Sequence, residues 1–429
     1  MCFLGLILLS RLFLKNLSKT HFRRPFDLLK FFPAPMKSIP LFLSALLLPI
    51  FTMSQTKPNY DESKVPSLYL PDPFVSEKGK LIGTAADWEN IRRPEIFSLF
   101  ESEVYGKLPT DFDSISFEVV REKSNPFPQI ADLEEVNITV SRNGKSHTMR
   151  VNFFLPKSQK EAFPVILLIN YLPNYPDGKI VDEAFWPVPE LIQRGFATAS
   201  FHVETVAPDD AKTYQNGIIS TLYPEQIGKA DGLKSFGAWG WAAMRAMDYF
   251  EQHPKIDSKK SILVGHSRTG KTALWTSAND PRWAITYANE SGCGGAALSK
   301  RKFGETVEAI NTRFPHWFAD NFRKYNSQEE TLPLDQHLLP GLIAPRAIYY
   351  SSAIEDQWAD PKGEYLGLSL GSRVFSEIYG KKSVFEKEFE ELDGPVHLES
   401  VGYHVREGAH DLTWEDWRVF LEFVERNLE

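Results

Sequence analysis

The rhythm of apolar and polar positions changes near residue 160. Before that point the chain carries helical or alternating patterns. "DWENIRRPEIFSLFESEVYGKLP" (87–109) puts Ile96, Phe97, Phe100 and Val104 on one helical face, with Asp87 as cap and Gly106 and Pro109 as the stop. Two strand patterns follow, "ISFEVV" (115–120) and "VNITV" (136–140). The second runs through Asn143-Gly144 into "HTMRVNFFLP" (147–156), which predicts a hairpin with a tight turn. After that the alternation disappears. "FPVILLIN" (163–170) and "GFATASF" (195–201) are unbroken apolar runs, the pattern of strands buried on both faces.

Helical and buried-strand patterns then take turns. "WGWAAMRAMDYFEQHP" (239–254) has a helical period stopped by Pro254. "KSILVGH" (260–266) predicts a strand and "RTGKTALWTSA" (268–278) a helix. "WAITYANE" (283–290) and "PRAIYYSS" (345–352) predict two more strands, and a short one is expected near "VHLESVGYHV" (396–405) before the closing helix "WEDWRVFLEFVERNL" (414–428). Alternating strands and helices predict an α/β fold, a mostly parallel sheet with helices on both faces in three layers. Ligands in such folds bind at the carboxyl ends of the strands.

Ser267 falls at such an end. A buried strand, then Gly265-His266-Ser267-Arg268, then a helix resembles the nucleophile elbow of α/β-hydrolases. The turn demands small neighbours and exposes the hydroxyl. The helix start beside it favours negative charge. One position departs from the usual pattern: Thr269 stands where glycine is customary, with Gly270 next. The competing reading is a serine that only caps the helix.

A serine nucleophile needs a base, and the base an orienting acid. His410 follows Gly408-Ala409 and precedes the last helix, where a loop histidine can reach back to the elbow; His404 is expected in or beside the strand. Two carboxylates could orient His410. Asp356, in "YYSSAIEDQWADP", follows the strand before the histidine strand, the usual hydrolase place, and Glu290 ends the strand after the elbow. Position alone slightly favours Asp356. No histidine spacing matches a zinc helix, so no metal is expected.

"GHSRTGK" (265–271) resembles the Gly-X-Ser-Arg-X-Gly-Lys motif of the glucuronoyl esterases, in particular their bacterial branch, and in that motif the position of Thr269 is free. The resemblance extends to "NESGCGGAALSKRKFGE" (289–305), "DQWADPKGEYLG" (356–367) and "REGAHDLTWEDW" (406–417), and spans residues 85 to 428. It implies a serine esterase that cleaves esters of glucuronic acid, such as those between glucuronoxylan and lignin alcohols, without a cofactor. By the same resemblance Ser267 is the nucleophile, His410 the base and Glu290 the acid, with Asp356 supporting or substituting. Arg268 matches the oxyanion-stabilising arginine, and Lys271, Glu305 and Trp358 match positions that hold the sugar. Two rival readings remain open. An acetyl xylan esterase would share the triad and be separated by its rates on acetyl esters. A catalytically silent carbohydrate-binding protein of the same fold would resist a serine-reactive phosphonate.

The start of the chain reads differently. From Met36, "MKSIPLFLSALLLPIFTMS" has a lysine, an apolar run and small residues spaced for cleavage, which is the pattern of a secretory signal peptide. Pro49 interrupts the run, which is short for a stable membrane span. Residues 1–54 are expected to be leader with its true start at Met36, 55–84 an irregular arm, and 85–429 one catalytic domain. The protein is then exported, periplasmic or secreted, and acts as a monomer.

Composition narrows the partners. The chain of 429 residues carries 48 basic and 56 acidic side chains. Seven of the basic and one of the acidic lie in residues 1–54, which leaves −14 on the remainder. Such a charge offers little attraction to nucleic acid phosphates, so no nucleic acid partner is expected. The cysteines are Cys2 and Cys293, so loss of the leader leaves no pair for a disulfide.

Overall fold

A computed structural model describes residues 57–120, 125–172 and 182–428. The predicted leader lies outside the described residues. Among those described, ten strands form one sheet in the order β1-β2-β3-β5-β4-β6-β7-β8-β10-β9. They are β1 (Ser114–Val120), β2 (Ala131–Arg142), β3 (Lys145–Pro156), β4 (Phe163–Asn170), β5 (Ala197–His202), β6 (Ile256–His266), β7 (Ile285–Asn289), β8 (Ala347–Ala353), β9 (Val396–His397) and β10 (Val401–Arg406). The six from β5 to β10 in that order pair in parallel, and β1, β2, β3 and β9 add antiparallel edges. This is the mostly parallel α/β-hydrolase sheet expected.

The change in sequence rhythm maps onto the sheet. β4 is buried at every position, and its side chains serve two cores. Val165, Leu167 and Ile169 enter the larger core on one face, Ile166 and Leu168 the smaller core on the other. Each such residue contributes about 1.5–3 kcal/mol of burial. That rewards a continuous apolar run and leaves no place for alternation. β1 and β2 lie at the edge with one wet face, so they alternate. The hairpin forms as predicted: Arg142 pairs with Lys145 across Asn143 (φ 51°) and Gly144 (φ 71°).

Five helices suffice to describe the covering layers: α1 (Arg93–Phe100), α2 (Ser235–Phe250), α3 (Arg268–Asn279), α4 (Pro361–Gly371) and α5 (Trp414–Leu428). Trp239, Met247, Leu274 and Trp275 of α2 and α3 belong to the larger core; Trp417, Phe420 and Phe423 of α5 belong to the smaller. The expected cap of the first helix is corrected. Asp87 sits inside the first turn, and Thr84 Oγ1 accepts its N–H at 3.1 Å. Helical backbone runs from Ala85 to Tyr105 and passes through two π turns, and Gly106 (φ 82°) ends it. The arm from residue 57 is irregular but packed: Phe74 and Ile82 join the larger core.

Candidate active site

The elbow is built by close approach. Ser267 links β6 to α3 with φ 56° and ψ −122°, a conformation that costs a side-chain-bearing residue about 1–3 kcal/mol. The neighbours hold it there. Ser267 N–H donates to Asn289 O on β7 (2.8 Å), and Gly270 N–H donates back to Ser267 O (3.0 Å). A Cβ on Gly265 would lie 2.1 Å from Thr269 O, and one on Gly270 would lie 2.9 Å from Ser291 Cβ. The second glycine is therefore needed at 270. Thr269 has a task of its own: its hydroxyl accepts from His266 N–H (3.1 Å) and donates to His266 O (2.9 Å), which ties the turn. As first residue of α3, Arg268 has an amide with no acceptor inside the helix, and that amide is free for an oxyanion.

His410 sits in the loop after β10, as expected, while His404 lies within β10. Both candidate acids reach the same ring nitrogen. His410 Nδ1 is 2.6 Å from Asp356 Oδ2 and 3.0 Å from Glu290 Oε2. Burial pulls the imidazole down, but hydrogen bonds and charge from Asp356 and Glu290 outweigh it and lift the pKa to about 9. Burial pushes Glu290 up to about 7 against the lowering pull of His410 and Arg406.

Ser267, His410, Glu290, Asp356, Arg268, Lys271, Glu305 and Trp358 all line one cavity of about 250 Å³, together with Gly292, Arg313, Phe314, Trp317 and Ala359. Every site residue named from the sequence is thus brought together. Lys271 is buried, donates to Ser291 O and is drawn down in pKa by burial, with Glu305 opposing. Burial raises Glu305, while Lys271 and a hydrogen bond to Trp358 pull it back.

Known proteins resemble this chain over most of its length. A profile described as "Glucuronyl esterase, fungi" matches residues 138–379. The carbohydrate esterase MZ0003, from an unknown prokaryotic organism, is 36% identical over 401 residues, which is 86% of this chain and 92% of that one. The chain belongs to the glucuronoyl esterase family. A solved glucuronoyl esterase from Solibacter usitatus is 36% identical, with a TM-score of 0.79, over 86% of this chain and all of that one. A 4-O-methyl-glucuronoyl methylesterase from Schizophyllum commune is 28% identical over 77% of this chain and 78% of its own. The protein is thus a carboxylic ester hydrolase of the carbohydrate esterase type, on an α/β-hydrolase fold.

Within this family member, residues that the sequence did not single out hold the named ones. Arg268 stacks over Tyr171 (4.7 Å) and Trp317 (5.0 Å), and its Nη1 pairs with Asp209. Asp209 also accepts from Trp317 Nε1 (2.6 Å) and bonds His316 Nε2 (2.8 Å). Burial raises Asp209, but these partners together keep it below the usual carboxylate range. The guanidinium is therefore fixed before any substrate arrives, and its Nη2 has no acceptor among the described residues. Asp209 lies in "VAPDD" between elements, where no periodicity marks it.

The other unforeseen residue is Arg406, the last of β10. It donates to Glu290 Oε1 and to Asp416 Oδ2 (2.7 Å each), and to the carbonyls of Ala409 (3.1 Å) and Asp411 (2.7 Å). One buried cation thus neutralises two buried carboxylates and shapes the loop that carries His410. Arg406 closes a strand that also carries His404, and an arginine at a strand end has no period to mark it. His266, Glu290 and His410 bring three possible metal-ligand atoms within 4.8 Å of one another. One donor atom of each is already engaged: His266 Nδ1 with Asn289, Glu290 Oε1 with Arg406, and His410 Nδ1 with the two acids. The Arg406 cation beside Glu290 also repels a metal ion, so this donor set fits a proton relay better than a metal.

Proposed function

We propose that this enzyme cleaves esters formed on the carboxyl group of glucuronic acid, as in methyl glucuronate and in links between glucuronoxylan and lignin alcohols. One observation carries the reading: a single small cavity joins the elbow serine, a histidine held by two acids, and two cations, Arg268 and Lys271. Names of relatives such as 4-O-methyl-glucuronoyl methylesterase support it.

In this reading Ser267 Oγ attacks the uronate carbonyl while neutral His410 takes its proton. The tetrahedral oxyanion forms against the Arg268 guanidinium and the Arg268 backbone N–H. Donors fixed in advance in a water-poor site are worth about 2.7–4 kcal/mol apiece. His410 returns the proton to the departing alcohol, and water then releases the acyl-enzyme by the same route. Glu290 and Asp356 orient the ring and stabilise its charged form. Lys271, Glu305 and Trp358 hold the sugar. The substrate is an extracellular polymer, which accords with export and a mature chain beginning near Gln55. N-terminal sequencing of the exported protein checks this; a mature chain still carrying Met1 refutes it.

The deciding assay follows release of alcohol from benzyl and methyl glucuronate by the wild type and by Ser267→Ala. The wild type should turn over both, and the variant neither. Cleavage of acetylated xylan with no action on glucuronate esters would replace this reading by an acetyl esterase.

A further inference from the structure

The arm before the first helix has no task in the reaction just described, yet it is fastened to the two loops that line the catalytic cavity. Gly304 N–H donates to Asn59 O of the arm (2.8 Å). The next residue, Glu305, donates its N–H to Trp358 O (2.9 Å). Gly304 has φ 60°, and a Cβ there would lie 2.4 Å from Gln357 O and 2.5 Å from Trp358 O, so the two loops touch backbone to backbone. Buried Arg301 forks Asp360 at 2.8 and 3.2 Å and pairs outward with Glu62 of the arm. Asp360 in turn caps α4, accepting from Gly363 N–H at 2.9 Å. The arm thereby braces the segment that carries Asp356 and Trp358.

Tyr60 stands on this brace. Its ring meets Phe303 edge-on (centroids 6.1 Å apart, 76° between planes), and half of the residue remains exposed. Burial raises the pKa of its hydroxyl, and the charge of Asp356 adds to the rise, so Tyr60 feels the catalytic acid. Around it lies an open groove of about 700 Å³ whose walls include Asn59, Tyr60, Asp61, Lys64 and Lys302.

We propose that this groove is an outer subsite for the neutral pentose chain that carries the esterified uronate, with Tyr60 as its stacking platform. The proposal rests on the glucuronate reading above. Three features favour this occupant. The catalytic cavity, at about 250 Å³, is below the roughly 300–1,000 Å³ of ordinary ligand clefts, so a polymeric substrate must continue outside it. The groove lies beside it: Lys302 lines the groove and Glu305 the cavity, three residues of chain span at most about 11 Å, and Asn59 of the groove accepts from Gly304 N–H. Two of its three lysines are neutralised: Lys64 is paired with Asp61 (2.9 Å), and Lys302 with Glu330 (2.7 Å) and Glu329 (3.3 Å), while Lys57 has no ion pair among the described residues. The wall is thus an aromatic face with a largely compensated polar rim, which suits a neutral sugar.

The test compares the full chain with Tyr60→Ala and Tyr60→Phe on three substrates: methyl glucuronate, benzyl glucuronate, and the methyl ester of glucuronic acid borne on a xylo-oligosaccharide. The quantity read is kcat/KM on the extended substrate relative to methyl glucuronate. Tyr60→Ala should lower this ratio about fivefold, mainly through KM, which is roughly 1 kcal/mol at 1.4 kcal/mol per tenfold. Tyr60→Phe keeps the ring and should keep the ratio. An unchanged ratio in Tyr60→Ala overturns the subsite and leaves the glucuronate reading standing. A loss that follows the benzyl ester instead assigns the groove to the alcohol and also overturns it. Failure of the wild type on every glucuronate ester overturns the reading and the subsite together.

Discussion

Glu290 and Asp356 meet at one atom: their carboxylates lie 3.0 and 2.6 Å from Nδ1 of His410. They arrive from the ends of β7 and β8, adjacent strands of the parallel sheet. Two acids on one nitrogen carry overlapping roles, so the loss of either leaves the ring oriented by the other. Each single change, Glu290→Gln or Asp356→Asn, should lower kcat about ten- to a hundredfold. The double variant should approach the roughly 10⁴-fold loss seen when a triad acid is removed outright. Steady-state kinetics on methyl glucuronate measure all three. A double variant no worse than one single would make that residue the sole acid.

The same geometry sets the pH dependence. In the proposed mechanism only neutral His410 accepts the serine proton, and Asp356 and Glu290 raise its pKa to about 9. The rate constant kcat/KM should therefore climb between about pH 7 and 9. Asp356→Asn removes one of the negative charges that favour imidazolium, so the climb should move to lower pH while its plateau falls. A profile that shifted upward, or not at all, would mean that Asp356 does not act on His410 through its charge.

Arg268 and Lys271 should fail in different ways. Arg268 is anchored by Asp209 and stacked on two rings, and the proposed mechanism has it meet charge that exists only in the transition state. Arg268→Ala should chiefly lower kcat, and Arg268→Lys should recover part of it, because charge is kept but the planar fork is lost. Lys271 is assigned to the sugar in both states, so Lys271→Ala should chiefly raise KM. An Arg268→Ala enzyme with intact kcat and a raised KM would make the guanidinium a substrate clamp.

Much of this was legible in the sequence because burial writes a strong pattern. β4 had to be a continuous apolar run, since alternate residues serve different cores, and "KSILVGH" then placed Ser267 at a strand end. The departure at Thr269 was legible only as a departure. That Gly270 is the residue pressed on Ser291, while Thr269 knots the turn through its hydroxyl, needs three-dimensional contacts. The same holds for Asp209 and Arg406. A charged residue between elements, or one arginine at a strand end, has no period to betray it. Its meaning comes from partners 59 and 116 residues away. Position in sequence put both acids near His410 but could not show that they reach the same nitrogen.

The Arg406 network should also be visible in stability. Asp416 is fully buried and bonded to Arg406 (2.7 Å), His404 (3.0 Å) and the Thr413 hydroxyl (2.7 Å). Burial opposes its ionisation, but these partners win and hold its pKa at about 2, against 3.8 for the free group. A depressed carboxylate stabilises the fold fully above the unfolded value and loses that contribution as pH falls toward the folded value. The shift corresponds to roughly 2 kcal/mol, present above about pH 4 and gone near pH 2. Asp416→Asn should therefore lower Tm at neutral pH and flatten the stability curve between pH 4 and 2. Arg406→Gln should cost more, about 3–5 kcal/mol, because it strands two buried carboxylates at once. It should also raise the pKa of Glu290 and weaken one of the two acids on His410. Thermal melts across pH, read beside kcat, test both effects. If Arg406→Gln melted like the wild type, the cation would not be what holds Glu290 and Asp416 in the core.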